Sequence, residues 1–387
     1  MHAFPRMFPG VLLLAFVVGP GLTGADDEPA APAKDAAAAV ETIAKDWKKN
    51  IKNKGPANAK ERGTFWEAKV KPTEKDIFWL GMIWDRARQH EKAIACFEAY
   101  LKIEGGAEIN RESSLAKILD NHALLQNWDK AIAAGQEVLK LYPASKNAPG
   151  AWSDLGRVYR RKGDLEKAAH AFREATILLR GTSLFDLLDL HMTAGDIDKA
   201  KAACNEHRAV FQKDAIKVNF EMLEAFIGRI GQPAPSLEAG VNVGNGEPTK
   251  VYGPKPTLLY HAHVGSQLFR LRMSNLQGLR SAWEETVNCI ALMTLMKYDS
   301  IAQKEDLTIT PEKEQEMIVK VMSEEGRGTP ALLVPQSVFD ALPMRWPGQM
   351  ILVDAEGKLR WMRINDENND GYDWVCAQEA LTKLTGG

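Results

Sequence analysis

The chain is 387 residues long, 45% hydrophobic and 26% charged, with a formal net charge of −2 at pH 7. That length allows two or three domains with real cores, and the composition excludes disorder throughout and a collagen-like fibre. Near-neutral charge gives no general attraction to nucleic acid or acidic membrane. The four cysteines, Cys96, Cys204, Cys289 and Cys376, lie too far apart for a C-x-x-C pair or a cysteine-based zinc knuckle.

At the N-terminus, Arg6 precedes an uncharged run from Met7 to Ala25 whose apolar centre is Val11–Val18. Pro20 and Gly21 break that run, and Thr23 and Ala25 put small residues at −3 and −1 before Asp26. A basic start, an apolar centre and a small-residue exit predict a cleavable export signal over residues 1–25. The other reading is an uncleaved anchor, but Pro9, Gly10, Pro20 and Gly21 leave the apolar core short of the ~20 residues a spanning helix needs. No cysteine follows the run to carry a lipid, and no later apolar run is long enough to span, so the mature chain is expected outside the cytoplasm, periplasmic or secreted, with no membrane span. Residues 26–40, rich in Ala, Pro and acidic residues, read as a linker. Helix-forming composition over Ala38–Lys52 ends at Gly55-Pro56.

From residue 41 to residue 228 the chain repeats itself. Trp152, Leu155, Gly156, Tyr159, Ala168, Phe172 and Ala175 fall at the spacing W-x2-L-G-x2-Y followed by A-x3-F-x2-A. This resembles the tetratricopeptide repeat. Leu80, Gly81, Trp84, Ala93, Phe97 and Tyr100 make a second copy, and Ile118, Ala131, Val138 and Pro143 a weaker one. Leu187, Ala200 and Cys204 mark a fourth, with Cys204 filling the phenylalanine position as a packing residue. The small alanine lets paired helices approach, while Gly163-Asp164 and Gly195-Asp196 predict helix-ending and helix-starting turns. The resemblance implies an array whose concave face takes an extended peptide or partner helix. Arg157, Arg160 and Arg161 share one helix at i, i+3 and i+4, which suits a clamp for a partner's carboxylate. The other reading is a solvated face balanced by Asp154, Asp164 and Glu166.

Beyond residue 231 the apolar period changes. Pro256–His261, Val287–Met293, Gln349–Val353 and Lys358–Arg363 read as strands, the last two joined by the turn Asp354-Ala355-Glu356-Gly357. Ser266–Trp283, a helix opening at Thr310-Pro311, and Asp373–Leu384 read as helices. Gly231-Gln232-Pro233-Ala234-Pro235-Ser236-Leu237 and the stretch from Arg345-Trp346-Pro347 into Ile351-Leu352-Val353-Asp354 resemble thiol–disulfide reductases and peroxiredoxin-like proteins of the thioredoxin superfamily. The resemblance implies a cis Trp346–Pro347 bond facing the redox site. It also places a dithiol after the first core strand, where this chain reads His261-Ala262-His263-Val264-Gly265-Ser266-Gln267-Leu268. Gly265 and Leu268 stand where the cysteines belong and can form neither a thiolate nor a mixed disulfide. Cys289, mid-strand, and Cys376, in the last helix, read as buried apolar residues.

Two weaker patterns touch on metals. His261 and His263 are two apart, which on a strand gives one shared face, but two histidines without thiolates underligate a metal. Asp366, Asn368, Asp370 and Gly371 follow the first half of a calcium loop, whose twelfth position is Ala377 instead of a glutamate. The expectation is a polar strand end and an acidic loop, with no metal and no cofactor.

The sequence thus predicts a multidomain protein: all-α tetratricopeptide-type helical repeats (41–228) followed by an α/β thioredoxin-like sandwich (231–387). The expected function is an exported, non-catalytic protein-binding or scaffold protein with no catalytic residue. The repeats dock a peptide or protein partner, nucleic acid is not a partner, and His263, Gly265, Leu268, Trp346 and Pro347 of the degenerate site form a second surface. The alternative is a thiol–disulfide oxidoreductase or peroxiredoxin-like enzyme of the cell envelope.

Overall fold

The computed structural model describes residues 42–48, 55–178, 181–211, 214–244, 251–266, 269–299, 304–345, 347–363 and 372–386. The expected signal and linker, Leu268, Trp346 with its bond to Pro347, and the Asp366/Asn368/Asp370 loop lie outside the described residues.

Helices α1 (Ile43–Asp46) and α2 (Pro56–Glu67) lead into a series of helix pairs. These are α3 (Ile77–Arg86) with α4 (His90–Leu101), α5 (Glu108–Leu124) with α6 (Trp128–Leu141), α7 (Ala148–Lys162) with α8 (Leu165–Ile177), and α9 (Gly181–Ala194) with α10 (Ile197–His207). Helix α11 (Asp214–Arg229) follows. Each turn inside a pair holds one left-handed residue: Arg88, Gln126, Gly163 and Gly195. At the third pair the Asp164 amide donates to the Tyr159 carbonyl and the Gly163 amide to Arg160, both at 2.9 Å, and Asp164 then caps the Lys167 amide at 3.2 Å. Asp196 opens α10 without such a cap, its carboxylate meeting Lys199 Nζ at 2.8 Å instead.

The repeat spacing has a steric cause. A Cβ on Gly156 would stand 2.5 Å from the Phe172 ring, and one on Gly81 would stand 2.8 Å from the Phe97 ring. Glycine on the first helix therefore lets the aromatic ring of the second seat against its backbone. Ala93, Ala131, Ala168 and Ala200 are buried where each pair meets.

The second half contains β1 (Val241–Asn242), β2 (Thr257–His261), α12 (Phe269–Trp283), β3 (Asn288–Met293), β4 (Tyr298–Asp299), β5 (Lys304–Glu305), α13 (Pro311–Glu325), β6 (Ala331–Leu333), α14 (Gln336–Ala341), β7 (Met350–Val353), β8 (Leu359–Arg363) and α15 (Tyr372–Thr385). Thr310 caps α13 through the Lys313 amide, with Pro311 at its first position. The main sheet runs β1-β6-β3-β2-β7-β8. Strands β2, β3 and β6 are parallel, and β1, β7 and β8 each join antiparallel to a neighbour. A parallel βαβ unit, a second crossover, an antiparallel hairpin and a closing helix make a thioredoxin-like sandwich. The segment after α11 lies along β8: the Gly231 amide donates to Leu359 O and the Ala234 amide to Gly357 O, both at 2.8 Å.

The protein is thus multidomain, helical repeats followed by an α/β sandwich, but its largest apolar core crosses the boundary. Leu184, Leu187 and Leu188 of α9 belong to the same buried cluster as Trp361 of β8 and Cys376 and Leu381 of α15. No helix among the described residues is long and apolar enough to cross a membrane.

Candidate functional site

Helices α3, α5 and α7 are the first members of successive pairs, and together they line a groove of about 1050 Å³. Helix α3 gives it Trp79 and Met82, α5 gives Ser113, Ala116 and Lys117, and α7 gives Asp154. Its N-terminal end is formed by Trp47 and Lys48, just after α1. That short segment is fixed by buried Asp46, whose carboxylate accepts hydrogen bonds from Arg62 Nε at 2.8 Å and Trp66 Nε1 at 2.5 Å.

Lys117, which lines the groove, belongs to a hydrogen-bonded charge cluster beside it. Lys117 Nζ stands 3.2 Å from Asp85 Oδ2 and 3.4 Å from Asp120 Oδ2. Asn121 donates to Asp85 at 2.8 Å, and its Oδ1 lies 2.7 Å from His90 Nδ1. Burial, then the charges of Asp154 and Asp85, push the Asp120 carboxyl up to about 7 against the pull of Lys117. Burial opposes the Lys117 charge, but Asp120 and Asp85 outweigh it and raise its pKa.

None of these groove residues was among the candidates drawn from sequence. The signal was present: Ser113, Lys117 and Asp120 recur at i, i+4 and i+7 of α5, a polar stripe opposite buried Leu115, Ile118 and Leu119.

The arginine clamp is corrected. Arg157, Arg160 and Arg161 do lie near one face of α7, but the carboxylates that meet Arg157 and Arg160 come from this same chain. Arg160 is buried, its Nη1 paired with Asp189 of α9 and its Nε donating to Glu379 of α15 at 2.7 Å. Arg157 Nη2 lies 3.2 Å from Asp186, also of α9. Arg161 is half-buried. Sequence spacing placed these groups on one face and gave no sign of what covers it.

Of the degenerate thioredoxin site, the described residues include His263, Gly265 and Pro347. Strand β2 ends at His261, so His261 and His263 do not share a strand face. The His261 ring packs on Phe339, with centroids 4.3 Å apart, while the His263 ring stands edge-on to Tyr298 at 5.0 Å. Burial lowers the His263 pKa against the pull of Glu314. Gly265 is covered too: a Cβ there would collide with the Tyr298 ring and stand 2.8 Å from His263 Cε1. Tyr298 is held by buried Glu314 of α13, whose carboxylate accepts the amides of Met296 at 2.8 Å, Lys297 at 3.0 Å and Tyr298 at 3.1 Å. The surface predicted around His263 and Gly265 is therefore partly covered by the chain's own β3–β4 segment. The Pro347 carbonyl accepts from Arg272 Nη1 at 3.3 Å.

All four cysteines are buried and free. Burial pushes the thiols of Cys96, Cys204 and Cys289 up to about 12, and that of Cys376 well above 9. Among the described residues, no group of three or more His, Cys, Asp or Glu is placed to hold a metal ion.

Residues 149–181 match the tetratricopeptide repeat family model. The match runs through α7 and α8. Among solved structures, the chain is similar to a thioredoxin-like protein in its oxidised form (19% identity, TM-score 0.28, covering 39% of this chain and 93% of that one). It is also similar to aspartyl phosphate phosphatase F from Bacillus subtilis (17% identity, TM-score 0.36, covering 44% of this chain and 50% of that one). No curated protein matches the chain. Residues 149–181 thus form a tetratricopeptide-type helix pair, and the helical array is followed by an α/β sandwich with the sheet order given above.

Proposed function

We propose that the protein is an exported, non-catalytic binding or scaffold protein that takes an extended protein segment in the groove between α3, α5 and α7. The observation that carries this reading is the groove itself, about 1050 Å³ along three successive repeats. Trp79 and Met82 offer adaptable apolar surface, and Ser113 and Lys117 offer hydrogen-bonding groups for a peptide backbone or its side chains. Export rests on the leader-like pattern of residues 1–25. The thioredoxin-like half, with Gly265 and Leu268 in place of a dithiol and both of its thiols, Cys289 and Cys376, buried, acts as support for the array and carries out no redox exchange.

The test selects displayed random peptides on the full chain and measures their affinity for two groove variants. Ala116→Arg fills the groove from α5, and Trp79→Ala removes its aromatic wall. Selected peptides are expected to bind either variant at least about tenfold more weakly. Failure to select any peptide, or equal affinity for wild type and both variants, would reject the groove as the site.

A further inference from the structure

We infer that the thioredoxin-like domain is a fixed intramolecular ligand of the third and fourth repeats, so that the last repeat and the sandwich unfold locally as one unit. Domains joined by a linker usually meet across modest, polar interfaces and move against each other. This junction is built differently.

Three guanidinium groups meet three carboxylates there, drawn from four elements. Arg157 and Arg160 come from α7, Asp186 and Asp189 from α9, Arg363 from β8 and Glu379 from α15. Arg363 Nη2 donates to Asp186 Oδ1 at 2.8 Å, and its Nη1 lies 3.6 Å from Asp189 Oδ2. Trp361 Nε1 donates to the other Asp189 oxygen at 2.6 Å, and Arg160 Nη2 donates to Thr193 at 3.3 Å. Arg160, Asp186, Asp189 and Arg363 are 3%, 2%, 1% and 3% exposed. Each aspartate therefore holds one arginine from the array and one from the sandwich. Withdrawing the sandwich would leave charges half-paired against apolar surface, which is far costlier than breaking an exposed pair.

The apolar contact is continuous with this network. Leu184, Leu187 and Leu188 of α9 share a core with Trp361, Cys376 and Leu381. Helix α11 adds two more ties: Arg229 donates to the Ala341 carbonyl, and Met222 Sδ accepts from Gln349 Nε2 at 3.2 Å. Helix α7 carries both regions. Asp154 on it lines the open groove, while Arg157, one turn on, pairs with Asp186 of α9 and Arg160, a further turn on, reaches Glu379 of the sandwich. The open part of the array thus ends where the intramolecular ligand begins.

Hydrogen exchange on the full chain tests this. In the wild type, peptides from α9, β8 and α15 should exchange through one shared opening. Arg363→Met should then speed exchange in α9 and in β8–α15 together, by at least about tenfold, while α3 to α6 keep their protection. If that variant does not fold, Glu379→Gln removes one charge at the partly exposed edge and should produce the same paired pattern at smaller amplitude. A wild-type β8–α15 region that opens well before α9, or a variant that loosens only its own side, would overturn the inference.

Discussion

The ring of Tyr298 occupies the space that a side chain on Gly265 would need. Gly265→Cys, the obvious first step toward a dithiol, should therefore overpack the turn and lower stability by about 1–3 kcal/mol. Adding Tyr298→Ala should return part of that loss. Urea unfolding of the two variants measures both effects, and a fully stable Gly265→Cys protein would contradict the partly covered geometry.

Glu314 should control that cover. Its carboxylate accepts three backbone amides, and hydrogen bonds to a charged group contribute about 1.5–3 kcal/mol each in the direct sense. Glu314→Ala is expected to speed amide exchange at Met296, Lys297 and Tyr298 by at least about tenfold while β2 and β3 stay protected. Unchanged exchange at those three amides would place their restraint elsewhere.

Gly156→Ala adds a methyl group 2.5 Å from the Phe172 ring, inside one helix pair. Helix propensity favours alanine by up to ~1 kcal/mol, so an exposed site would gain stability. Here overpacking should dominate, with a net loss of about 1–3 kcal/mol that Phe172→Leu relieves in part. Denaturant titration decides the sign.

Histidine titration gives a pH dependence with a defined direction. Burial lowers the pKa of His191 and of His207, with Lys199 adding to the effect at His191. Both rings therefore bind protons more weakly in the folded chain than at the usual 6.5. Between the folded value and 6.5 the unfolded chain takes up more protons, so their stabilising contribution is complete above pH 6.5 and is lost as pH falls through the folded value. Asp120 works the other way: with its carboxyl at about 7 instead of 3.8, protonation favours the folded chain as pH drops across that interval. NMR titration should show both imidazoles changing below 6.5 and the Asp120 carboxyl near 7. A ring titrating at or above its usual value would contradict the burial argument.

The four thiols should be silent to DTNB at pH 8 in the native protein and all react once guanidinium unfolds it. The native chain should likewise fail to accelerate insulin reduction by dithiothreitol. Acceleration that disappears in Cys289→Ser/Cys376→Ser would instead establish a reactive thiol and the oxidoreductase alternative.

Much of the fold could be read from sequence because its determinants are local. The spacing from Gly156 to Phe172 encodes one ring seated on one glycine, and Thr310-Pro311 encodes a cap followed by a permitted proline. The candidate site was harder to read because its determinants are distant. Arg160 and Glu379 are 219 residues apart, and nothing in either neighbourhood names the other. Tyr298 sits in a short connection with no periodic pattern, so its place over Gly265 depends on where Glu314 pins the backbone. The groove was missed because a polar stripe on α5 looks the same whether it faces bulk water or a concave surface.

The junction also sets an order of events during synthesis. Asp186 emerges from the ribosome 177 residues before Arg363. At ~5–20 residues per second, roughly nine to thirty-five seconds separate them. For that interval the inner face of α9 is half-finished: its aspartates have only the arginines of α7, and its leucines have no cover from the sandwich. The fourth repeat is complete in sequence early and complete in structure last. A chain that stops before Leu359 would carry every repeat and still leave one of them unfinished.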